Sequence, residues 1–124
     1  MTESIAEFFE RFAQDVPSFD GGLIASRYLA PYVVVSSGGD IWECREESDV
    51  VDYFQNLLDK HRDQGVAKCS YEDLEITEVG QKGFFATVSW TMSDKDGKTI
   101  THWRESYNLI RTSEGLKIFV SMDH

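Results

Sequence analysis

The sequence predicts an α+β domain in which three N-terminal helices pack on a strongly curved, mainly antiparallel sheet and enclose a cone-shaped cavity. Three observations carry this. Near the N-terminus Ile5, Phe8, Phe9, Phe12 and Val16 fall on one stripe of a 3.6-residue period. From Val66 onward the chain reads as strands, divided by Gly80-Gln81-Lys82-Gly83, Asp94-Lys95-Asp96-Gly97 and Ser113-Glu114-Gly115, all hairpin punctuation. The strands so delimited run to about 12 residues, and strands of that length stay compact only by bending through twist and bulges. Helices gathered on one face of such a sheet leave a conical hollow, a natural seat for a ligand.

The elements follow in order. Ser4, with Glu7 three residues on, reads as the capping box of the first helix, and Pro17 ends it. Asp20 is the expected N-cap of a second, short helix over about residues 20–30, stopped by Pro31. Tyr32 to Val35 is a β-branched and aromatic strand, Ser36 to Asp40 a turn, and Ile41 to Cys44 the return strand. Ser48 is expected to cap a third helix reaching about Gln64, with Asp49 and Asp52 in its first turn and Gly65 beyond its end. Val51, Phe54, Leu58 and His61 are placed on its apolar face. Four long strands follow, near 66–79, 83–94, 98–112 and 115–122. Alternation puts Ala86, Val88 and Trp90 on one face of the second and Trp103, Glu105, Tyr107 and Leu109 on one face of the third. It puts Leu116, Ile118, Val120 and Met122 together on the fourth.

Length and composition set the frame. The 124 residues, without linker, repeat or low-complexity stretch, make a single domain spanning 1–124. Acidic residues outnumber basic ones 22 to 12, a net charge of −10, which argues against nucleic-acid partners and against an anionic membrane surface. No apolar run is long enough to cross a membrane, and the N-terminus lacks the basic and apolar regions of a secretory signal. Cys44 and Cys69 form no disulfide framework, so the expectation is a cytoplasmic protein with free thiols.

Sequence motifs for cofactors or metals are missing. Gly97-Lys98-Thr99 ends like a phosphate-binding loop, but Met92 stands where its first glycine belongs. Asp94, Asp96 and Gly97 resemble a fragment of a calcium loop and read better as a turn. The three histidines have no metal-ligand spacing, so neither cofactor nor metal is expected.

Glu105 stands out. A carboxyl between Trp103 and Tyr107 on an apolar face is desolvated, which is the profile of a general acid or base. It is equally the profile of a structural carboxylate bonded to a neighbouring tyrosine, tryptophan or arginine. His61, near the end of the third helix, faces the cavity if that helix covers its mouth, and is then a partner for Glu105. Tyr28, Trp42, Phe54, Trp90, Trp103 and Tyr107 are candidates to line a pocket for a flat, apolar ligand, or else pack as ordinary core. The opposite sheet face, with Phe85, Thr87, Ser89 and Thr91 beside His102, Arg104, Ser106 and Asn108, is too mixed for a core. It is expected to pair with a second copy in a homodimer.

Phe19-Asp20-Gly21, the run from Leu29 to Val35 and the closing strands Trp103 to Arg111 and Gly115 to Val120, followed by Ser121-Met122-Asp123-His124, resemble the NTF2-like superfamily. The likeness is to its SnoaL-like and ketosteroid-isomerase-like branch. It implies the cystatin-like cone and cofactor-free acid/base chemistry. In ketosteroid isomerases an acid near the end of the first strand moves the proton, while a tyrosine on the first helix and a protonated acid on the penultimate strand hold the enolate oxygen. Glu105 matches the last of these. The first-strand position falls around Val34, Val35 and Ser36, without a carboxylate, and the first-helix position around Phe9 to Phe12, without a tyrosine. SnoaL-like cyclases use an acid near the end of the chain, to which Asp123 is the nearest match.

Two functions are therefore expected in parallel. One is an isomerase, cyclase or dehydratase type of proton transfer on a small hydrophobic molecule, with Glu105 and either His61 or Asp123 exchanging the proton. The other is a non-catalytic ligand-binding or dimeric association domain.

Overall fold

The computed structural model describes residues 3–124. Helix α1 spans Ile5–Asp15 and continues into a single 3-10 turn, Val16–Ser18. Helix α2 spans Gly21–Ala25, strand β1 Tyr28–Val35 and strand β2 Ile41–Cys44. Helix α3 spans Glu47–Asp63 and precedes β3 (Lys68–Val79), β4 (Gly83–Ser93), β5 (Thr99–Thr112) and β6 (Gly115–Asp123). The strands form one sheet in the order β2-β1-β6-β5-β4-β3, antiparallel except where β1 meets β6. This is the α+β architecture the periodicities predict.

The caps explain where the helices start. The Ser4 hydroxyl accepts the Glu7 N–H at 3.1 Å, and the Asp20 carboxylate accepts those of Gly22 and Leu23 at 3.0 and 3.1 Å. Helix α3 is capped at Glu46, two residues before the expected Ser48, because the Asp49 carboxylate accepts the Glu46 N–H at 3.0 Å. Its buried stripe is Val50, Phe54 and Leu58, not Val51. Helix α2 is shorter than expected, and the chain is already extended at Tyr28. Pro31 lies within β1 rather than before it. The β2 ladder begins only at Tyr32, and the β6 ladder jumps from Tyr28 to Val33, so no ladder bond is asked of the proline nitrogen.

Ladder irregularities interrupt the sheet at Glu72/Glu75, at Met92/Ser93 and at Asn108/Leu109. None falls between Trp103 and Tyr107, so the alternation of β5 holds there: Trp103 pairs with Trp90, Glu105 with Val88 and Tyr107 with Ala86. The bulge on β6 has the opposite effect. Asn108 pairs with Val120 and Leu109 with Ile118, leaving Phe119 unmatched. Ile118 and Ser121 are consequently both buried, while Met122 is 48% exposed. The single apolar face expected for Leu116, Ile118, Val120 and Met122 breaks at that point.

The core lies between α1 and the sheet. Phe9 packs its ring 5.9 Å from Trp90 and 5.4 Å from Tyr107, and Phe12 lies 5.2 Å from Trp90. The Trp90 indole N–H, buried among these rings, donates to the Tyr107 hydroxyl at 2.7 Å. Cys44 and Cys69 are buried and free.

Candidate functional site

Helix α3 runs along the open side of this core and leaves a cavity of about 270 Å3 between itself and β1, β4, β5 and β6. The walls are aromatic and aliphatic, with Tyr28, Phe54, Leu58, Trp90, Trp103 and Tyr107 among them. Five of the six aromatic residues expected there are present. Tyr28 and Phe54 pack with centroids 4.4 Å apart, and Trp90 and Tyr107 serve core and wall at once. Trp42 is the exception. It shares its register with Val34, which lines the cavity, but β2 is an edge strand and Trp42 is 53% exposed outside the walls.

The polar groups gather toward one end. Glu105 on β5 and Asp123 on β6 are directly paired across the ladder, and both line the cavity. Glu105 is half-buried and its Oε1 accepts the Trp103 indole N–H at 2.8 Å. Burial pushes its carboxyl up to about 8. The charge of Asp123 adds to the rise, and hydrogen bonds from Trp103 and Tyr107 oppose it. Asp123 is exposed at the rim, and its carboxyl is raised by partial burial. Glu105, the deeper of the two, carries the larger penalty for being ionised, and the charge of the paired Asp123 adds to it. Plain alternation from Ile118 would put Asp123 on the opposite face, and the Phe119 bulge turns it inward. The terminus is pinned rather than frayed: the His124 N–H donates to the Arg104 carbonyl at 3.0 Å, and its Nε2 lies 2.6 Å from Ser106 Oγ.

Two tyrosines complete this end. The Tyr32 hydroxyl donates to Ser121 Oγ at 2.8 Å, and burial raises its phenol far above the ordinary value. The Tyr53 phenol is pushed up to about 12 by burial and by the charges of Glu105 and Asp123. Tyr32, Tyr53 and Ser121 are not singled out by sequence reasoning. Tyr53 carries a signal, since Tyr53, Leu57 and His61 recur every fourth residue and all three line the cavity.

His61 lines the cavity as well, half-buried, with its basicity lowered by burial and its Nδ1 sealed without a hydrogen-bond partner. It makes no hydrogen bond to Glu105. Among the described residues no cluster of three or more His, Cys, Asp or Glu is arranged to hold a metal ion, and no helix is long and apolar enough to cross a membrane.

On the far sheet face the mixed residues bond to each other. Thr87 and Ser106 share a hydrogen bond of 2.8 Å, and Arg104 donates to Ser89 Oγ at 2.9 Å while pairing with Glu75. Phe85 and Met122 remain 41% and 48% exposed there.

Comparisons with known proteins agree with the fold. Residues 2–124 match a family model described as NTF2-like protein (DUF6841). No curated protein matches the chain. Among solved structures it is similar to Aln2 from a Streptomyces species, at 12% identity and a TM-score of 0.76, covering 100% of this chain and 94% of that one. It is also similar to an NTF2-like protein with a cystatin-like fold from Novosphingobium aromaticivorans, at 12% identity and TM-score 0.72, covering 96% and 77%. A ketosteroid isomerase-like protein from Erwinia carotovora atroseptica matches at 13% identity and TM-score 0.68, covering 96% and 91%. At these identities the likeness is one of fold.

Proposed function

The chain belongs to the NTF2-like family (DUF6841), and from that membership we propose a pocket protein that takes a small, largely apolar molecule and moves a proton on it without a cofactor. The observation that carries this reading is the Glu105–Asp123 pair at the polar end of an otherwise apolar cavity. Two carboxyl groups whose surroundings separate their roles, one neutral and one ionised, supply an acid and a base together.

In the proposed step the Asp123 carboxylate takes a proton from a carbon beside a carbonyl group. The Glu105 O–H donates to the carbonyl oxygen as negative charge grows there, and the low-dielectric wall strengthens that bond. The proton held by Asp123 then returns to carbon, at the same or a conjugated position, and the pair ends as it began. Asp123, exposed at the rim, also lets the pair exchange its protons with water. Steroid-isomerase chemistry in its usual form is not part of the proposal, since β1 offers Val34 and Val35 where its base would stand.

The test is hydrogen–deuterium exchange of the benzylic protons of phenylacetone in D2O, followed by NMR. The protein should accelerate the exchange, and Asp123→Asn and Glu105→Gln should each remove the acceleration. Exchange no faster than in buffer overturns the acid/base step. Binding of the ketone without exchange would leave the non-catalytic pocket as the function.

A second reading concerns assembly. Phe85 and Met122, exposed on the sheet face away from the helices, favour pairing of that face with a second copy. Sedimentation at micromolar concentration should show a dimer that Phe85→Asp dissociates, and a wild-type monomer would remove the proposal.

A further inference from the structure

We infer that His61 is a second recognition point of the cavity, a hydrogen-bond donor that selects ligands carrying an acceptor at the end remote from the acid pair. The inference rests on the pocket reading but not on the proton-transfer step.

The cavity has a measurable long axis because α3 lies along it. Tyr53 marks one end: its ring packs 6.3 Å from that of Tyr32, whose hydroxyl bonds Ser121, two residues before Asp123. His61 lies eight residues further along the same helix, which is about 12 Å of helical rise. The other end is fixed to the sheet. The Val66 N–H donates to the His61 carbonyl at 3.1 Å and the Ala67 N–H to the Ser93 carbonyl at 2.8 Å. This places His61 beside the start of β3 and the end of β4, where Cys69 and Met92 line the cavity. The sheet gives a matching length: Thr101, paired with Met92, lies four residues before Glu105 on β5, or about 13 Å along a strand. Between the two ends the walls are apolar, with Phe54, Leu58 and Trp90.

The ring itself restricts what His61 can do. Its Nδ1 is enclosed with no partner. A proton placed there would be an orphaned buried donor, so the ring's single proton belongs on Nε2. Nε2 is then the one nitrogen a ligand can reach, and it donates. A protonated ring would bury a second N–H and is disfavoured by desolvation, which outweighs the opposing Gln64 side chain one turn on. His61 thus stands apart from the carboxyl pair as a neutral donor, about 12 Å of helix beyond Tyr53. The ligand class that fits is elongated and flat, with one oxygen at the acid pair and a carbonyl or ether oxygen about 10 to 12 Å distant.

The test compares two probes, 4-hydroxybiphenyl and 4-acetyl-4′-hydroxybiphenyl, with affinities measured by calorimetry. The wild-type protein should bind the acetyl compound about three- to tenfold more tightly, the range of one net hydrogen bond. His61→Leu should abolish the preference while retaining 4-hydroxybiphenyl, and His61→Gln, which keeps an N–H donor, should restore it. Replacing an unpaired buried nitrogen by carbon is not expected to disturb folding, and His61→Phe substitutes if the leucine variant folds poorly. A preference that survives His61→Leu, or equal affinities in the wild type, overturns the inference and leaves the pocket intact. Failure of both probes to bind the wild-type protein overturns the pocket reading, and this inference with it.

Discussion

Replacing Glu105 with Gln tests the electrostatics of the site through stability. Glutamine keeps the shape, can accept the Trp103 indole N–H and can donate its own N–H to Asp123, so the packing is retained. What it removes is a titration. An acid raised to about 8 in the folded chain from about 4.5 when unfolded binds more protons folded than unfolded over that interval. Stability therefore falls as pH rises: the contribution is whole below about pH 4.5 and lost once pH passes about 8. Between pH 4.5 and 7 the loss amounts to roughly 3 kcal/mol at 1.36 kcal/mol per unit, and screening by water entering the cavity reduces it to about 2 kcal/mol. The assay is urea unfolding of wild type and Glu105→Gln at pH 5, 6, 7 and 8. Groups that do not touch Glu105 titrate alike in both proteins and cancel, so the variant should gain on the wild type by at least about 2 kcal/mol between pH 5 and 8, less whatever the neighbouring Asp123 gives back when its partner no longer ionises. Parallel pH profiles would refute the desolvated, proton-holding Glu105.

Trp103→Phe removes the indole N–H that favours the carboxylate, so NMR titration of the Glu105 carboxyl should show its midpoint move further up. Ser121→Ala leaves the buried Tyr32 hydroxyl without its acceptor and should cost about 1 to 3 kcal/mol in urea unfolding, more than Tyr32→Phe, which removes the donor instead. Cys69, pushed up to about 12 by burial, and the enclosed Cys44 should resist a thiol reagent at pH 8 in the native protein, and both should react after unfolding without reductant.

The parts of the site legible in the sequence are those where local rules run uninterrupted. Glu105 is readable because its strand alternates without a bulge from Trp103 to Tyr107. Phe54 and His61 are readable from helical spacing, and Ser4 and Asp20 from capping chemistry. The failures have particular causes. Trp42 has the right residue type and register, but nothing in its own segment says that β2 ends the sheet. The start of β1 is hidden by Pro31, which ordinarily ends structure and here sits in a gap common to both ladders. Plain alternation misplaces Asp123 because bulges are set by pairing with another strand and leave little trace in a short run of alternating residues. Tyr53 is visible on its stripe, yet a tyrosine on a helix face has many ordinary uses.

The unmatched Phe119 makes the acid pair a matter of parity. Upstream of it, odd and even positions of β6 face one way; downstream they exchange sides, and only that exchange brings Asp123 onto the face of Glu105. Drawing Phe119 into the ladder opposite Asn108 would remove no group from the chain, yet it would act on the last four residues like a frameshift, sending Met122 inward and Asp123 out. The chemistry would vanish while the core, fixed by Leu116 and Ile118 before the bulge, kept its contacts. Relatives of this chain should accordingly be compared by counting residues between the buried isoleucine and the final aspartate. A chain with the same two acids and one residue fewer would hold them on one face by plain alternation, whereas this chain needs the bulge to do so.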